Sequence, residues 1–242
     1  MSASAIVCSR AGHVAKLTIR RPGRSNALRR IDFAELVAQL RAAGADPQVR
    51  VIVLTGEGER AFCAGADLDD SEPFFTGAVT GLGEWLRAAR RLDAWLVARV
   101  NGACIGGGLG LLAACDLSIA REDARFALPE LTRGLYPFVV AAAWRGRLAE
   151  AHLARLTLGG ETIDAATAER MGFIARAVAP STLDGAIDAA VERLCALPRA
   201  SVAPARRRDD DADFEARLAG AERSLAERLA DARAGAGAPD AN

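Results

Sequence analysis

The chain is poor in the side chains from which metal and disulfide sites are built. Its 242 residues include two histidines, His13 and His152, and five cysteines without any Cys-x-x-Cys pair. Such a set offers too few ligands for a zinc or iron–sulfur site, so we expect no metal. The odd number of cysteines argues against a disulfide framework and favours free thiols in a cytoplasmic protein.

An excess of charge of one sign is also missing. Lysine and arginine together number 31, acidic residues number 31, and Lys16 is the only lysine, so the formal net charge is zero. We therefore expect neither general nucleic-acid binding nor a polybasic membrane surface. The apolar runs are shorter than the ~20 residues that span a bilayer. The first residues lack the pattern of a signal peptide, so we expect no membrane association.

The order of predicted elements indicates an α/β fold. Two short strands flank the turn at Ala11-Gly12, and a helical stripe that begins at Ile31 ends at Gly44. The β-branched run 51–54 is typical of a strand buried on both faces of a parallel sheet. Strand, loop, helix and strand then recur through residue 120, which predicts right-handed connections and parallel pairing.

Helices dominate the second half of the chain. Residues 79–92 already have a helical pattern, and the segment 161–172 predicts a capped helix that ends at Gly172. Residues 181–197 and 209–233 have amphipathic patterns. We accordingly divide the chain into three parts, a core of residues 1–195, a helical region of residues 196–233 and a disordered tail of residues 234–242.

Two loops lose their side chains directly after predicted buried strands. The first is Ala64-Gly65-Ala66, and the second is Gly106-Gly107-Gly108. Small residues allow backbone N–H groups to face a ligand, and the second loop also begins a helix, whose first N–H groups are free. Two amides from separate loops form an oxyanion hole, which stabilises a developing enolate by about 3 kcal/mol per donor.

The same residues have other interpretations. A glycine triplet alone is more often a place of close helix–strand packing than a binding loop. The segment "IGGGLG" also matches part of a dinucleotide-binding fingerprint, although no partner acid follows a second strand at the expected distance. Asp69 and Asp70, which follow the first loop, predict a cap for the next helix.

Four segments keep a fixed order between about residue 6 and residue 180: "RRPGRSNAL", "VIVLTGEGERAFCAGADL", "VNGACIGGGLGLLAACDLSIAREDARFALPE" and "LGGETIDAATAERMGFIARAV". Together they resemble the enoyl-CoA hydratase/isomerase (crotonase) superfamily. The resemblance implies a ClpP/crotonase-like spiral of ββα units with a helical C-terminal trimerisation region, assembled as a homotrimer or a dimer of trimers. It also implies an acyl-CoA thioester substrate and no cofactor besides the CoA of that substrate.

The resemblance also assigns roles to residues. The backbone amides of Ala66 and Gly107 hold the thioester oxygen, and Glu130 of "FALPE" transfers the proton. Arg24 suits a CoA phosphate, and an exposed turn arginine is an equally good interpretation; an acid after a proline, as at Glu130, is also common at a helix start. The full set of expected substrate-binding residues is Arg24, Ser25, Ala27, Ala64, Asp67, Leu68, Gly106, Gly108, Pro129, Arg133, Tyr136 and Phe138.

Gly110 departs from the family pattern. Typical hydratases of this family carry one glutamate two residues after the glycine triplet and another in the "PE" motif, and here only Glu130 is present. Hydration is usually drawn with two carboxylates, whereas moving a double bond needs one that shuttles a proton between C2 and C4. We expect an enoyl-CoA hydratase. The alternatives are a Δ3-Δ2 enoyl-CoA isomerase and, in another class, a non-catalytic acyl-CoA-binding protein.

Bulky side chains follow the "PE" motif where relatives often carry a glycine-rich turn. They are Tyr136, Phe138, Val139 and Val140. Such residues form either the wall of an apolar acyl pocket or the packed start of a helix.

Overall fold

Strands and helices alternate through most of the protein. The computed structural model describes residues 4–68, 80–202, 205 and 211–236. The strands are β1 (Ile6–Ala11), β2 (Val14–Ile19), β3 (Val51–Gly56), β4 (Ala61–Cys63), β5 (Trp95–Val100), β6 (Ala103–Ile105), β7 (Leu117–Arg121), β8 (Arg125–Ala127), β9 (Thr162–Asp164) and β10 (Arg176–Val178). The helices are α1 (Arg30–Ala45), α2 (Gly81–Arg90), α3 (Gly107–Ala113), α4 (Phe138–Trp144), α5 (Glu150–Thr157), α6 (Ala165–Met171), α7 (Leu183–Ala196) and α8 (Asp211–Ala236).

From β3 to β8, successive strands alternate between two sheets. One sheet has the order β1-β2-β3-β5-β7-β10, and the other has the order β4-β6-β8-β9. The pairs β1–β2 and β8–β9 are antiparallel, and the other pairs are parallel. Each unit therefore places one strand in each sheet and returns through a helix, as in β3-β4-α2 and β5-β6-α3. This arrangement confirms the predicted spiral of ββα units.

Strand β3 is buried on both faces, as its run of β-branched residues predicts. Ile52 and Leu54 belong to the main core between the sheets and helices α1 to α4. Val51 and Val53 face the other way, into a smaller apolar layer that α7 covers. The apolar surface removed from water on both sides accounts for the absence of polar residues from the run.

Two expectations for α1 were wrong. The helix does not end at Gly44 but continues to Ala45. A Cβ at Gly44 would lie 2.3 Å from Cδ2 of Leu92, so the glycine permits close packing inside the helix. Ile31, which we placed at the start of the apolar stripe, is 64% exposed, while Asp32 and Phe33 of the same turn are buried.

Helix α6 ends at the predicted glycine, and α2 has a side-chain cap of its own. Asp164 accepts a hydrogen bond from the amide of Thr167 and caps α6, and Gly172 ends the helix in the left-handed conformation, as predicted. The first part of the predicted helix is wrong, because Thr162–Asp164 form strand β9. Helix α2 is capped by Thr80, whose hydroxyl accepts from the amide of Gly83 at 2.8 Å. Asp69 and Asp70, the predicted caps, lie outside the described residues.

The C-terminal part consists of α7 on the sheet and α8 against α4. Helix α8 runs to Ala236, so the predicted tail begins inside it, and residues 237–242 lie outside the described ones. No helix in the described ranges combines the length and the apolarity needed to cross a membrane. The division of the chain at residues 195 and 233 stays a proposal.

We expect the buried side-chain amide of Asn101 to contribute measurably to the stability of the protein. It is 1% exposed, accepts from the amide of Gly56 at 3.0 Å, and donates to the carbonyls of Gly58 at 2.7 Å and Ala61 at 3.1 Å. Asn101→Ala removes these partners from buried backbone groups and is expected to lower the free energy of unfolding by about 2–4 kcal/mol in urea denaturation. Gln48→Ala, at an exposed side chain, should change it by less than about 0.5 kcal/mol. Equal effects of the two substitutions would contradict this account.

Candidate active site

In the loop after β4, the amide of Ala66 points away from the adjacent residue Leu28. The amide of Leu28 donates to the carbonyl of Gly65 at 2.8 Å, and the amide of Asp67 donates to the carbonyl of Leu28 at 2.9 Å. This isolated parallel bridge uses the peptide groups on either side of Ala66. The N–H of Ala66 therefore points to the opposite side, and no described residue accepts a hydrogen bond from it.

The loop after β6 brings a second amide beside the first. Gly106 has a φ of +54°, its amide donates to the carbonyl of Ala127 at 2.9 Å, and Gly107 is the first residue of α3. The N–H of a first helical residue has no acceptor within its helix, and none of the described residues supplies one here. A Cβ on Gly65 would lie 2.6 Å from the nitrogen of Gly107. The two loops are thus in backbone contact.

Glu130 approaches these loops from a 3₁₀ helix, Pro129–Arg133, that follows β8. A Cβ at Gly106 would lie 3.1 Å from its Oε1, so the carboxyl packs against the glycine loop. Its Oε2 is buried and has no hydrogen-bond partner among the described residues. Burial raises the pKa of Glu130 above its ordinary value, while hydrogen bonding to its own backbone and the charge of Arg133 oppose that shift.

One apolar cavity of about 270 Å³ contains all three predicted catalytic residues. The expected site residues that line it are Ala64, Ala66, Leu68, Gly106, Gly107, Pro129, Glu130, Arg133, Tyr136 and Phe138. The rings of Tyr136 and Phe138 meet edge to face, with centroids 5.0 Å apart. Val139 and Val140 lie beside them, so the bulky segment after the "PE" motif forms one side of the cavity.

Five expected site residues lie outside the cavity lining. Arg24 donates to the buried carboxylate of Asp67 at 3.1 Å, and Arg21 reaches the same carboxylate at 2.8 Å, so this cluster anchors the first loop. The carbonyl of Ser25 accepts from the amide of Ala64, while Ala27 precedes the bridge at Leu28. The remaining residue, Gly108, packs on backbone, since a Cβ there would lie 2.3 Å from the carbonyl oxygen of Cys63.

The sequence pattern alone did not point to part of the lining. The residues we did not predict are Phe33, Thr80, Leu82, Ile105, Leu135, Pro137 and Leu225. Three of these, Phe33, Leu82 and Leu225, are apolar residues of three different helices, and only long-range packing brings them to the cavity. Leu225 lies in the helix farthest along the chain, nearly 100 residues after Glu130.

Comparison with known proteins gives the same family from three directions. A family model described as enoyl-CoA hydratase/isomerase matches residues 9–228. A probable enoyl-CoA hydratase of Rhizobium meliloti (strain 1021) is 37% identical over 209 residues, which cover 84% of this chain and 80% of the relative. The 2,3-dehydroadipyl-CoA hydratase of Escherichia coli (strain K12) is also 37% identical, covering 74% of this chain and 71% of that protein.

The crystal structure of an enoyl-CoA hydratase/isomerase from Pseudoalteromonas atlantica T6c superimposes with a TM-score of 0.85, at 30% identity over 93% of this chain and 92% of that one. The chain belongs to the enoyl-CoA hydratase/isomerase family. It is accordingly an enzyme of this family, in which hydratases are the commonest names among the relatives found.

In this member of the enoyl-CoA hydratase/isomerase family, Leu82 covers the position where typical hydratases carry their other glutamate. A Cβ at Gly110 would lie 2.5 Å from Cδ2 and 2.9 Å from Cδ1 of Leu82. Both residues are buried, and Leu82 also lines the cavity. The loss of the carboxylate at position 110 is therefore combined with an apolar side chain in the adjoining space.

The packing of Leu82 on Gly110 predicts that Gly110→Ala lowers the stability of the protein, whereas the same change at an ordinary helical glycine raises it. In an unobstructed helix interior, Gly→Ala stabilises by about 1 kcal/mol. Here Gly110→Ala should destabilise the protein, because the new Cβ would meet the Leu82 methyl groups. In a Leu82→Ala background the same substitution should become neutral or stabilising, a coupling of about 1–3 kcal/mol in a double-mutant cycle. Additive effects in thermal or urea unfolding would contradict the contact.

The raised pKa of Glu130 predicts a pH-dependent cost in stability. Between the ordinary value of 4.5 and the higher value in the folded protein, the folded state keeps a proton that the unfolded state has lost. Stability at this site therefore falls as pH rises through that interval. Glu130→Gln removes the titratable group. The free energy of unfolding of the variant minus that of the native protein should therefore rise as the pH increases above 4.5, and then level off. A pH-independent difference would show that the carboxyl is not perturbed.

Proposed function

We propose that this enzyme hydrates an enoyl-CoA thioester, with Glu130 as the group that moves the proton. The observation that supports it is the shared cavity: a partly buried carboxyl, whose buried Oε2 has no partner among the described residues, lies in the same apolar space as the inward amides of Ala66 and Gly107. A thioester oxygen between these amides would gain about 3 kcal/mol of stabilisation per donor as it becomes an enolate oxygen.

A single carboxyl suffices for this reaction if it acts twice. In the first step Glu130 takes a proton from water while the water oxygen bonds to C3, and the C2–C3 double-bond electrons move to the thioester oxygen. The enolate then collapses, and protonated Glu130 returns the proton to C2. A carboxyl whose pKa is raised by burial suits both halves, since it must hold and release the same proton.

Δ3-Δ2 isomerisation of an enoyl-CoA is the second candidate, and the packing of Leu82 on Gly110 favours it. With no carboxylate at position 110, Glu130 is the one acid–base group that the family pattern places in the cavity. Glu130 would remove a proton from C2, leave a dienolate held by the same two amides, and return the proton to C4. The two reactions differ in whether water must enter.

The CoA part of the substrate is proposed to follow the first loop. Ala64 and Leu68 line the cavity, and Arg24, half exposed, sits beside them through its ion pair with Asp67. Ser25 and Ala27 complete this side. We propose no cofactor besides the CoA of the substrate.

The resemblance to the family further suggests a homotrimer or a dimer of trimers, with the helices after residue 195 at the subunit contacts. A cytoplasmic location is proposed as well, because the five cysteines are free, including the buried Cys63, Cys104 and Cys115.

Side-by-side assays separate these functions. Crotonyl-CoA hydration and 3-enoyl-CoA isomerisation are measured for the native enzyme, for Glu130→Ala, and for Glu122→Ala as an exposed-glutamate control. Glu130→Ala is expected to lower the active reaction by about 10²–10⁴-fold while acyl-CoA binding is retained. Glu122→Ala should behave as the native enzyme.

The outcome decides between the candidates. Hydration without isomerisation supports the hydratase, and the reverse supports the isomerase. Full activity of Glu130→Ala would remove the proposed mechanism, and acyl-CoA binding with neither reaction would indicate a non-catalytic binding protein.

A further inference from the structure

Helix α8 carries a buried glutamate in the middle of its apolar face. Phe214, Leu218 and Leu225 are buried at helical spacing, and Glu222 lies between the last two with 2% exposure. A carboxylate in such a position costs several kcal/mol unless cations and hydrogen bonds compensate for its lost hydration. Its partners therefore decide what it does.

The partners of Glu222 are the N-cap of α2, Thr80, and a residue of its last turn, Arg87, more than 130 residues earlier. Its Oε1 accepts from the amide of Thr80 at 2.8 Å and from the hydroxyl of Thr80 at 3.1 Å. Its Oε2 accepts from Arg87 at 2.8 Å. The carboxylate thus ties α8 to the N-terminal cap of α2 through Oε1 and to the second half of α2 through Oε2.

The first turn of α2 leaves room for this contact. A Cβ at Gly83 would lie 1.9 Å from Oε1 of Glu222, so a larger residue there would displace this carboxylate. Leu82, the residue before Gly83, packs on Gly110. Leu82 and Thr80 both line the cavity. Leu225 is one helical turn beyond Glu222 on the same face, and it lines the same cavity.

We propose that Glu222 is a positioning residue for acyl-group selection. It holds the first turn of α2 and helix α8 in one fixed relation, so that Leu82 and Leu225 form a boundary of the cavity in which Glu130 lies. The acyl groups accepted are those that fit against this boundary. The inference rests on the proposed acyl-CoA substrate.

Binding selectivity tests this role without requiring turnover. Dissociation constants of short-, medium- and long-chain saturated acyl-CoA thioesters are measured by calorimetry on the full chain. Leu225→Ala opens the boundary and should shift the long-to-short affinity ratio about tenfold towards long chains. Glu222→Gln keeps the shape but loses the charge, and it should shift the same ratio about tenfold as the boundary loosens.

Glu215→Gln is the matched control. Glu215 lies on α8 and pairs with the same arginine, Arg87, at 2.7 Å, but it is half exposed and is not a hydrogen-bond partner of Thr80. Its affinity ratio should stay at the native value. A general loss of stability lowers all affinities together and leaves the ratio unchanged, so the ratio separates positioning from structural support.

The possible results test three different points: the role of Glu222, the boundary at Leu225 and the proposed substrate. If Glu222→Gln lowers the thermal midpoint but keeps the native ratio, Glu222 is structural only and the inference is overturned. An unchanged ratio for Leu225→Ala overturns the boundary itself. If the native protein binds none of the thioesters, the proposed function fails first, and the inference fails with it.

Discussion

The close approach of two backbone segments governs this structure. Strands β4 and β6 pair in parallel, with Cys63 opposite Cys104, so the loops that follow them leave the same edge of the smaller sheet. At that edge Gly65 and Gly107 are so close that a Cβ on the first would lie 2.6 Å from the nitrogen of the second. The amides of Ala66 and Gly107 share one cavity because side chains are absent where the backbones meet.

Pairing with arginine distinguishes the buried carboxylates from one another. Asp67 meets Arg21 and Arg24, and Glu222 meets Arg87, so each has cations that compensate for burial. Glu130 has one oxygen without a partner among the described residues, and burial raises its pKa. Paired carboxylates hold loops and helices in place, whereas the unpaired one is available for proton transfer.

Local signals in the sequence predicted the parts of the molecule that depend on neighbouring residues. The cap of α6 at Asp164, the burial of β3 and the two glycine loops each follow from a few adjacent side chains. The continuation of α1 past Gly44 and the role of Leu82 depend on contacts between distant segments. Gly44 illustrates the difference, since it resembles a helix end but makes room for Leu92. Glu222 interrupts an apolar helical stripe, and this departure is visible in the sequence. The helical spacing alone does not show which residues its carboxylate contacts.

Position 110 connects the packing of the protein with its chemistry. A glycine inside a helix costs about 1 kcal/mol relative to alanine, and here Leu82 occupies the space that any side chain would need. Because Leu82 belongs to the turn that Glu222 holds, a carboxylate at position 110 would have to displace a side chain of that turn. Leu82 thus belongs to the apolar boundary of the cavity and also fills the space beside position 110, where a second carboxyl group would stand. With one carboxyl in the proposed reaction, the group that takes up a proton must also deliver one, and a carboxyl made less acidic by burial is suited to both steps.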